Sequence, residues 1–363
     1  MPSLSKSRVE SLDWLRGLVA LSIMFYHLSY WCFQLKDASS VLGRLGIYGV
    51  SIFFVLSGLS VAIAYSQYIR DITTVHRFLV RRLFRIWPLL WIATIVTAAI
   101  TFSETGVFNW GRFLLNITTL FGFFKPGSYM ATGAWSIGSE MVYYVLTPLI
   151  FAVYNYRRWA GNALLFVCVG IGVLFAFWFL DPRIPLTKQW AVYINPFNNL
   201  FLYVMGIAMY YNFGKLEIGP TLNAILLFVA VALFCLLPFG GDQIAIVTGA
   251  GRMVFVTLTF VVVLAFYKVR VRPADVISNP LTLFGMATYG IYLIHPVIYL
   301  LCGFFFRRFH VNNPHLMFAV VVVLTVVTAR FSYRLIEEKM IKLGKKLTAA
   351  APKKVLEVKL SEF

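Results

Sequence analysis

The sequence predicts an all-α, polytopic membrane protein: a bundle of about ten transmembrane helices with both termini in the cytoplasm. Three observations carry that expectation. Hydrophobic residues make up 60% of the 363 and charged ones 13%, with a mean hydropathy of +0.80. Soluble domains average ~45–50% apolar and ~25% charged. A chain so composed cannot cover its apolar surface with polar groups, which excludes a cytosolic globule, a disordered chain, a collagen or a coiled coil. Second, the apolar residues fall into runs near the ~20 residues that cross a bilayer. Third, the net charge of +18, from 32 Lys and Arg against 14 Asp and Glu, gathers between those runs and at the C-terminal end. In a soluble protein that balance would suggest nucleic acid; between membrane spans it indicates topology, and no nucleic-acid partner is expected.

Ten candidate spans follow one another along the chain: 12–33, 46–66, 83–101, 135–154, 160–180, 194–212, 220–238, 250–267, 281–306 and 315–336. The first shows no cleavage site after it, so it reads as a retained span rather than a leader. The stretch 108–124 is apolar, but Asn109, Arg112 and Asn116 interrupt it. An interfacial or re-entrant segment suits it better than a full crossing. The chain divides into a membrane domain over 8–340 and a basic cytoplasmic tail over 341–363, frayed from about residue 344, with Lys345, Lys346, Lys353, Lys354 and Lys359. With both termini inside, 23 of the 32 basic residues fall on the inner side. Such an excess sets orientation. The four cysteines, Cys32, Cys168, Cys235 and Cys302, lie far apart within apolar stretches, so neither a disulfide framework nor a metal site is expected.

Ionisable residues inside spans are the informative ones, because each costs roughly 2.5 kcal/mol or more on insertion scales unless paired or hydrated. Glu140 is the one acidic residue well inside a span, with Asp13 at a cytoplasmic mouth; His27 and His295 are likewise internal. Arg16 and His27 are eleven residues apart. At 100° per residue that is three turns plus about 20°, so both share one helix face, about 16 Å apart. By the same arithmetic His27, Glu140 and His295 reach one level in the outer half. A histidine paired with a carboxylate is suited to general-base work; a hydrogen-bonded packing network is the alternative.

The inner side differs. Arg81, Arg82 and Arg85 precede Trp87 and Pro88. With Arg16 they can form a basic mouth whose fork-shaped donors suit phosphates, although positive-inside topology alone also explains them. Small residues such as Ser57 and Gly58 in the second span suit close helix packing. Tyr289, Tyr292 and His295 recur at helical spacing before Pro296, which removes a backbone donor.

Together these segments resemble the acyltransferase 3 family of integral membrane O-acyltransferases. The resemblance rests on five ordered motifs: Ser11-Leu12-Asp13-Trp14-Leu15-Arg16-Gly17 through Tyr26-His27; Phe53-Phe54-Val55-Leu56-Ser57-Gly58; Arg82-Leu83-Phe84-Arg85-Ile86-Trp87-Pro88; Trp135-Ser136-Ile137-Gly138-Ser139-Glu140; and Tyr289-Gly290-Ile291-Tyr292-Leu293-Ile294-His295-Pro296. Ser51 stands where the family usually carries aspartate. The resemblance implies a cytoplasmic acyl-CoA donor, most often acetyl-CoA, and a hydroxyl of an envelope or exported polysaccharide, or its lipid-linked precursor, as acceptor. It implies that Arg16 and His27 are needed for activity, in the inner membrane of a bacterium. Some relatives carry a soluble domain after the spans, for which 341–363 leaves no room.

The expected assignment places His27 and Glu140 as catalytic residues, His27 as base and Glu140 as its orienting partner. Arg16, Arg82 and Arg85 hold the donor's phosphates. Ser51, Trp135, Ser136, Tyr289, Tyr292 and His295 line the substrate site, and no metal is involved. With no Ser or Cys beside a clear base, direct transfer is preferred to an acyl-enzyme. The competing readings are a proton-coupled transporter using His27, Glu140 and His295 as a relay, and an integral subunit without chemistry of its own. No internal repeat supports the transporter. Homo-oligomers or polysaccharide-assembly partners are compatible with either reading.

Overall fold

A computed structural model describes residues 9–35 and 37–349, and every regular element among them is helical. Each expected span has a helical counterpart. The helices are α1 (Glu10–Phe33), α2 (Val41–Tyr65), α3 (Ile72–Thr105), the short α4 (Trp110–Ile117) and α5 (Phe121–Phe124), α6 (Ala134–Tyr156), α7 (Arg158–Leu174), the single-turn α8 (Trp190–Tyr193), α9 (Pro196–Phe213), α10 (Pro220–Leu236), α11 (Ile244–Val247), α12 (Gly249–Tyr267), α13 (Asp275–Met286), α14 (Thr288–Arg308), α15 (Pro314–Ser332) and α16 (Glu338–Leu347). Seven of the helical stretches are long and apolar enough to cross a membrane by length and composition. Large apolar side chains cover the outer wall, with Phe166 73% and Phe228 74% exposed. Such a surface calls for lipid rather than water, and the protein is an integral membrane protein.

Two pairs of glycines set the helix spacing around the site. A Cβ on Gly58 would lie 2.0 Å from the Tyr203 carbonyl oxygen, and one on Gly206 would lie 2.1 Å from that of Val55. Helices α2 and α9 therefore touch backbone to backbone, the small-residue packing that substitutes for a hydrophobic drive in lipid. Gly17 and Gly285 do the same for α1 and α13: their added Cβ atoms would meet Gly285 N at 2.7 Å and Asp13 O at 2.4 Å.

Two of the expected spans are revised in detail, and one interrupted stretch is met. The third span is longer than 83–101: α3 begins at Ile72, where Asp71 accepts from the Thr74 backbone N–H at 2.8 Å and Thr74 Oγ1 receives the Asp71 N–H at 3.0 Å. That amide holds the Asp71 carboxyl below the ordinary carboxylate range. Residues 108–124 form two short helices and no full crossing, as expected, and the polar residues that interrupt the apolar run are the ones that tie it down. Asn109 caps α4; Asn116 Nδ2 donates to the Arg112 and Ser128 carbonyls, both at 2.8 Å, and its Oδ1 accepts from Met130 N at 2.9 Å. Finally, the ninth expected span is broken at Ala287 into α13 and α14, where Gly285 seats against α1.

The expected tail also begins differently. Helix α15 runs on through a π-helical turn, Tyr333–Glu337, into α16. Gly344 packs on Phe84, and Arg81 Nε donates to Thr348 Oγ1 at 2.7 Å. Residues 344–347 are thus a docked amphipathic helix, and 350–363 lie outside the described residues. All four cysteines are free thiols.

Candidate active site

Two cavities lie in the bundle and share Tyr292 as a wall. The inner one, of about 320 Å³, is lined by Arg16, Arg82 and Arg85 together with Ser57, Ser60, Ser136, Glu140, Tyr144, Tyr289 and Glu337. The outer one, of about 220 Å³, is lined by His27 among aromatic side chains, with Asp242 and Gln243 beside them. Arg16 and His27 stand on one helix, three turns apart, and line the two different cavities.

In the inner cavity each arginine is held by a different device. Arg16 Nη1 pairs with Asp13 Oδ1 at 2.8 Å, and its Nη2 donates to the Leu56 carbonyl at 3.3 Å and to Ser60. Those contacts clamp α1 to α2 with the fork only partly used. Arg82 is buried, and its guanidinium lies 4.9 Å from the Tyr65 ring centre, 5.3 Å from Tyr144 and 5.5 Å from Phe78. Aromatic faces attract the cation without consuming its N–H donors, and Arg82 Nε has no hydrogen-bond partner. Arg85 completes the cluster. Arg81 does not join it; it turns away to Thr348 and the Tyr68 ring. Three guanidiniums facing one cavity, one of them with an orphaned donor, suit a ligand with several phosphate oxygens.

Glu140 is placed otherwise than expected. Its Oε1 accepts from the hydroxyls of Ser57 and Tyr144, on the inner-cavity side. His27 and His295, level by the depth arithmetic, do meet, but Glu140, level with them by the same count, belongs to the other chamber. Sharing a depth fixes one coordinate; which way a helix turns its side chain is set by its neighbours. Ser57, read from the sequence as packing, is a carboxylate partner.

His27 Nδ1 lies 2.9 Å from His295 Nε2, and His295 Nδ1 lies 2.9 Å from the Ile291 carbonyl oxygen. A carbonyl only accepts, so His295 Nδ1 carries the proton and, for neutral rings, its Nε2 is an acceptor. His27 Nδ1 must then donate, leaving the lone pair of His27 on Nε2. The contact chain dictates a tautomer with a free basic nitrogen on a residue that lines the outer cavity. His295 itself is fully buried and lines neither cavity, so it stands behind His27 instead of contacting substrate as expected. The His27 ring is stacked at 5.1 Å on Trp31, almost parallel.

The other expected residues divide. Trp135 lines the outer cavity, edge-on to Trp190 at 5.6 Å. Ser136 lines the inner one, its hydroxyl 2.8 Å from that of Tyr292, and both hydroxyls lie 3.0 Å from the Gly133 carbonyl oxygen. Tyr289 donates to the Ile86 carbonyl at 2.7 Å and lines the inner cavity. Ser51 is buried and lines neither. Sequence reasoning missed Ser60, Tyr144 and Glu337 in the inner chamber and Trp31, Trp190, Asp242 and Gln243 in the outer. Glu337 was visible as a carboxylate beside the last span; Trp31 lies on α1 and Trp190 on the single-turn α8, whereas Asp242 and Gln243 come from the connection before α11, where no periodicity marks them.

Comparisons with known proteins identify the family. A family model described as an acyltransferase domain (Acyl_transf_3) matches residues 9–333. The chain is similar to the peptidoglycan O-acetyltransferase OatA of Listeria monocytogenes, 26% identical over 375 residues that cover 94% of this chain and 57% of that protein. It is also similar to the O-acetyltransferase OatA of Staphylococcus aureus, 25% identical, covering 95% of this chain and 59% of the relative. The chain thus spans a little over half the length of these curated relatives. No solved structure matches it.

Proposed function

This chain belongs to the acyltransferase 3 family, and we propose on that premise that it moves an acetyl group from a cytoplasmic acetyl-CoA to a hydroxyl of a cell-envelope glycan. The name of the Listeria relative favours peptidoglycan as that glycan. The membrane is the inner membrane of a bacterium, with both termini inside. The observation that carries the reading is the pair of cavities meeting at Tyr292, one basic and one holding His27.

Arg16, Arg82 and Arg85 bind the donor's phosphates, and its thioester arm extends toward Tyr292. The acceptor enters the outer cavity, where aromatic faces suit the C–H faces of a sugar ring. His27 Nε2 takes the proton of the acceptor hydroxyl as its oxygen forms a bond to the thioester carbonyl carbon. The tetrahedral intermediate collapses as the carbon–sulfur bond breaks, and the leaving thiolate takes the proton back from His27. The ester and CoA are the products, and no acyl-enzyme is formed. His295 accepts the Nδ1–H bond of the imidazolium, the orienting part first expected of Glu140.

The transporter alternative needs His27, Glu140 and His295 in one relay, and Glu140 is bonded to Ser57 and Tyr144 instead. The deciding experiment incubates the purified chain in nanodiscs with acetyl-CoA, with and without a muropeptide or lipid-linked disaccharide. Acceptor-dependent CoA release is expected. Its absence with every envelope glycan supplied would overturn the reading, and mass spectrometry of envelope glycans from a deletion strain identifies the hydroxyl.

A further inference from the structure

We propose that Glu337 is a donor-recognition residue whose carboxylate accepts a hydrogen bond from an N–H or O–H group on the pantetheine arm of the CoA thioester. The proposal rests on the donor reading given above and adds to it a residue and a contact. Glu337 closes the π-helical turn Tyr333–Glu337. Such turns insert one extra residue into a helix and recur at functional sites. The carboxylate is 4% exposed, lines the inner cavity, and its Oε1 has no hydrogen-bond partner.

A buried, unpartnered carboxylate oxygen is costly, and close to a phosphate it would also repel. Its place in a chamber with three arginines is therefore informative. Arg82 Nε, 9% exposed as a residue, is likewise unpartnered and belongs to the same cavity. One cavity thus offers a free donor and a free acceptor. A simple polyanion satisfies only the first; a ligand bearing both phosphates and amide or hydroxyl groups satisfies both.

The position favours the arm over the nucleotide. Thr348 meets Arg81 and Gly344 packs on Phe84 in the N-terminal half of α3. Glu337 precedes Gly344 by seven residues, about 10 Å further along the helix at 1.5 Å per residue. That displacement leads away from the mouth toward Tyr289 and Tyr292, along the path a thioester arm must take to reach the outer chamber.

The test measures binding of CoA and of adenosine 3′,5′-bisphosphate, which lacks the arm, to the full chain in nanodiscs by titration calorimetry. Glu337→Ala is expected to weaken CoA roughly tenfold or more, the loss of a charge-assisted hydrogen bond. Glu337→Gln, which keeps an acceptor oxygen, should lose about two- to fivefold. The bisphosphate should bind both variants as well as it binds the parent, or more tightly, since a negative charge has left the chamber. Unchanged or tighter CoA binding in the variants overturns the proposal, and so does an equal loss for both probes, which would make Glu337 a support for Arg85. Glu337→Gln carries the test if Glu337→Ala does not fold. A parent chain that binds no CoA overturns the donor reading itself, a result distinct from an effect confined to the variants.

Discussion

The Nδ1 atom of His27 stands 2.9 Å from Nε2 of His295, joining α1 to α14 across the bundle. Because His295 Nδ1 is committed to the Ile291 carbonyl, this contact decides which nitrogen of His27 is free. His27→Ala should abolish transfer while the protein still inserts and melts as a folded chain. His295→Ala should lower kcat by about ten- to a hundredfold, at or below the low end of general-base contributions because it acts through His27, with both KM values little changed. Steady-state kinetics with acetyl-CoA and a soluble acceptor check both; a normal kcat in His27→Ala would remove the base.

Arg82 and Arg85 face the inner cavity, and Arg82 keeps an unpartnered Nε. Replacing either by Ala should raise the donor KM. Each charged hydrogen bond lost is worth roughly 1.5–3 kcal/mol, which is about tenfold or more. The acceptor KM should stay near the parent value. A raised acceptor KM with an unchanged donor KM would exchange the assignments of the two chambers.

Glu140 uses one oxygen, Oε1, for both of its hydroxyl partners. Glu140→Gln can present its amide oxygen to the same two donors, so it should keep kcat within about tenfold, below the range of acid–base effects, and melt like the parent. Glu140→Ala leaves the hydroxyls of Ser57 and Tyr144 without their acceptor and should lose about 1–3 kcal/mol of stability. A kcat loss in Glu140→Gln of about a hundredfold or more, without a change in melting, would return Glu140 to the chemistry.

Trp31 and Trp190 line the outer cavity. Aromatic faces there should hold the acceptor, each contact worth about 0.5–1.5 kcal/mol beyond area. Trp190→Ala is thus expected to raise the acceptor KM by about two- to twelvefold and leave CoA binding untouched. Loss of CoA binding in this variant would place the donor, not the glycan, in the outer chamber.

Gly58 and Gly170 make a stability test of the helix spacing. Gly58→Ala would drive a methyl to 2.0 Å from the Tyr203 carbonyl, whereas a Cβ on Gly170 meets nothing within 4 Å. Overpacking of this kind costs about 1–3 kcal/mol, so Gly58→Ala should lower Tm in detergent. Gly170→Ala should stay within about 0.5 kcal/mol of the parent. Equal melting of both would show that α2 and α9 can separate without penalty.

Composition and order along the chain determined much of this protein without any structure. The apolar runs marked the helices because a bilayer admits only backbone that satisfies its own hydrogen bonds. A basic mouth of Arg16, Arg81, Arg82 and Arg85 was legible because charge at the edge of an apolar run is conspicuous, and the structure turns only Arg81 away from it. The tertiary structure alone decided what each internal charge touches. Depth follows from counting residues, but azimuth depends on helix rotation, which packing sets. So Glu140, level with His27 by counting, faces Ser57 and Tyr144, and His295 becomes the partner of His27. A connection and a single helical turn show no usable period, so Asp242, Gln243 and Trp190 of α8 could join a chamber with His27 only once the long helices around them were placed. The π turn that carries Glu337 into the inner cavity has no sequence signature either, since its extra residue is accommodated by contacts made elsewhere in the bundle.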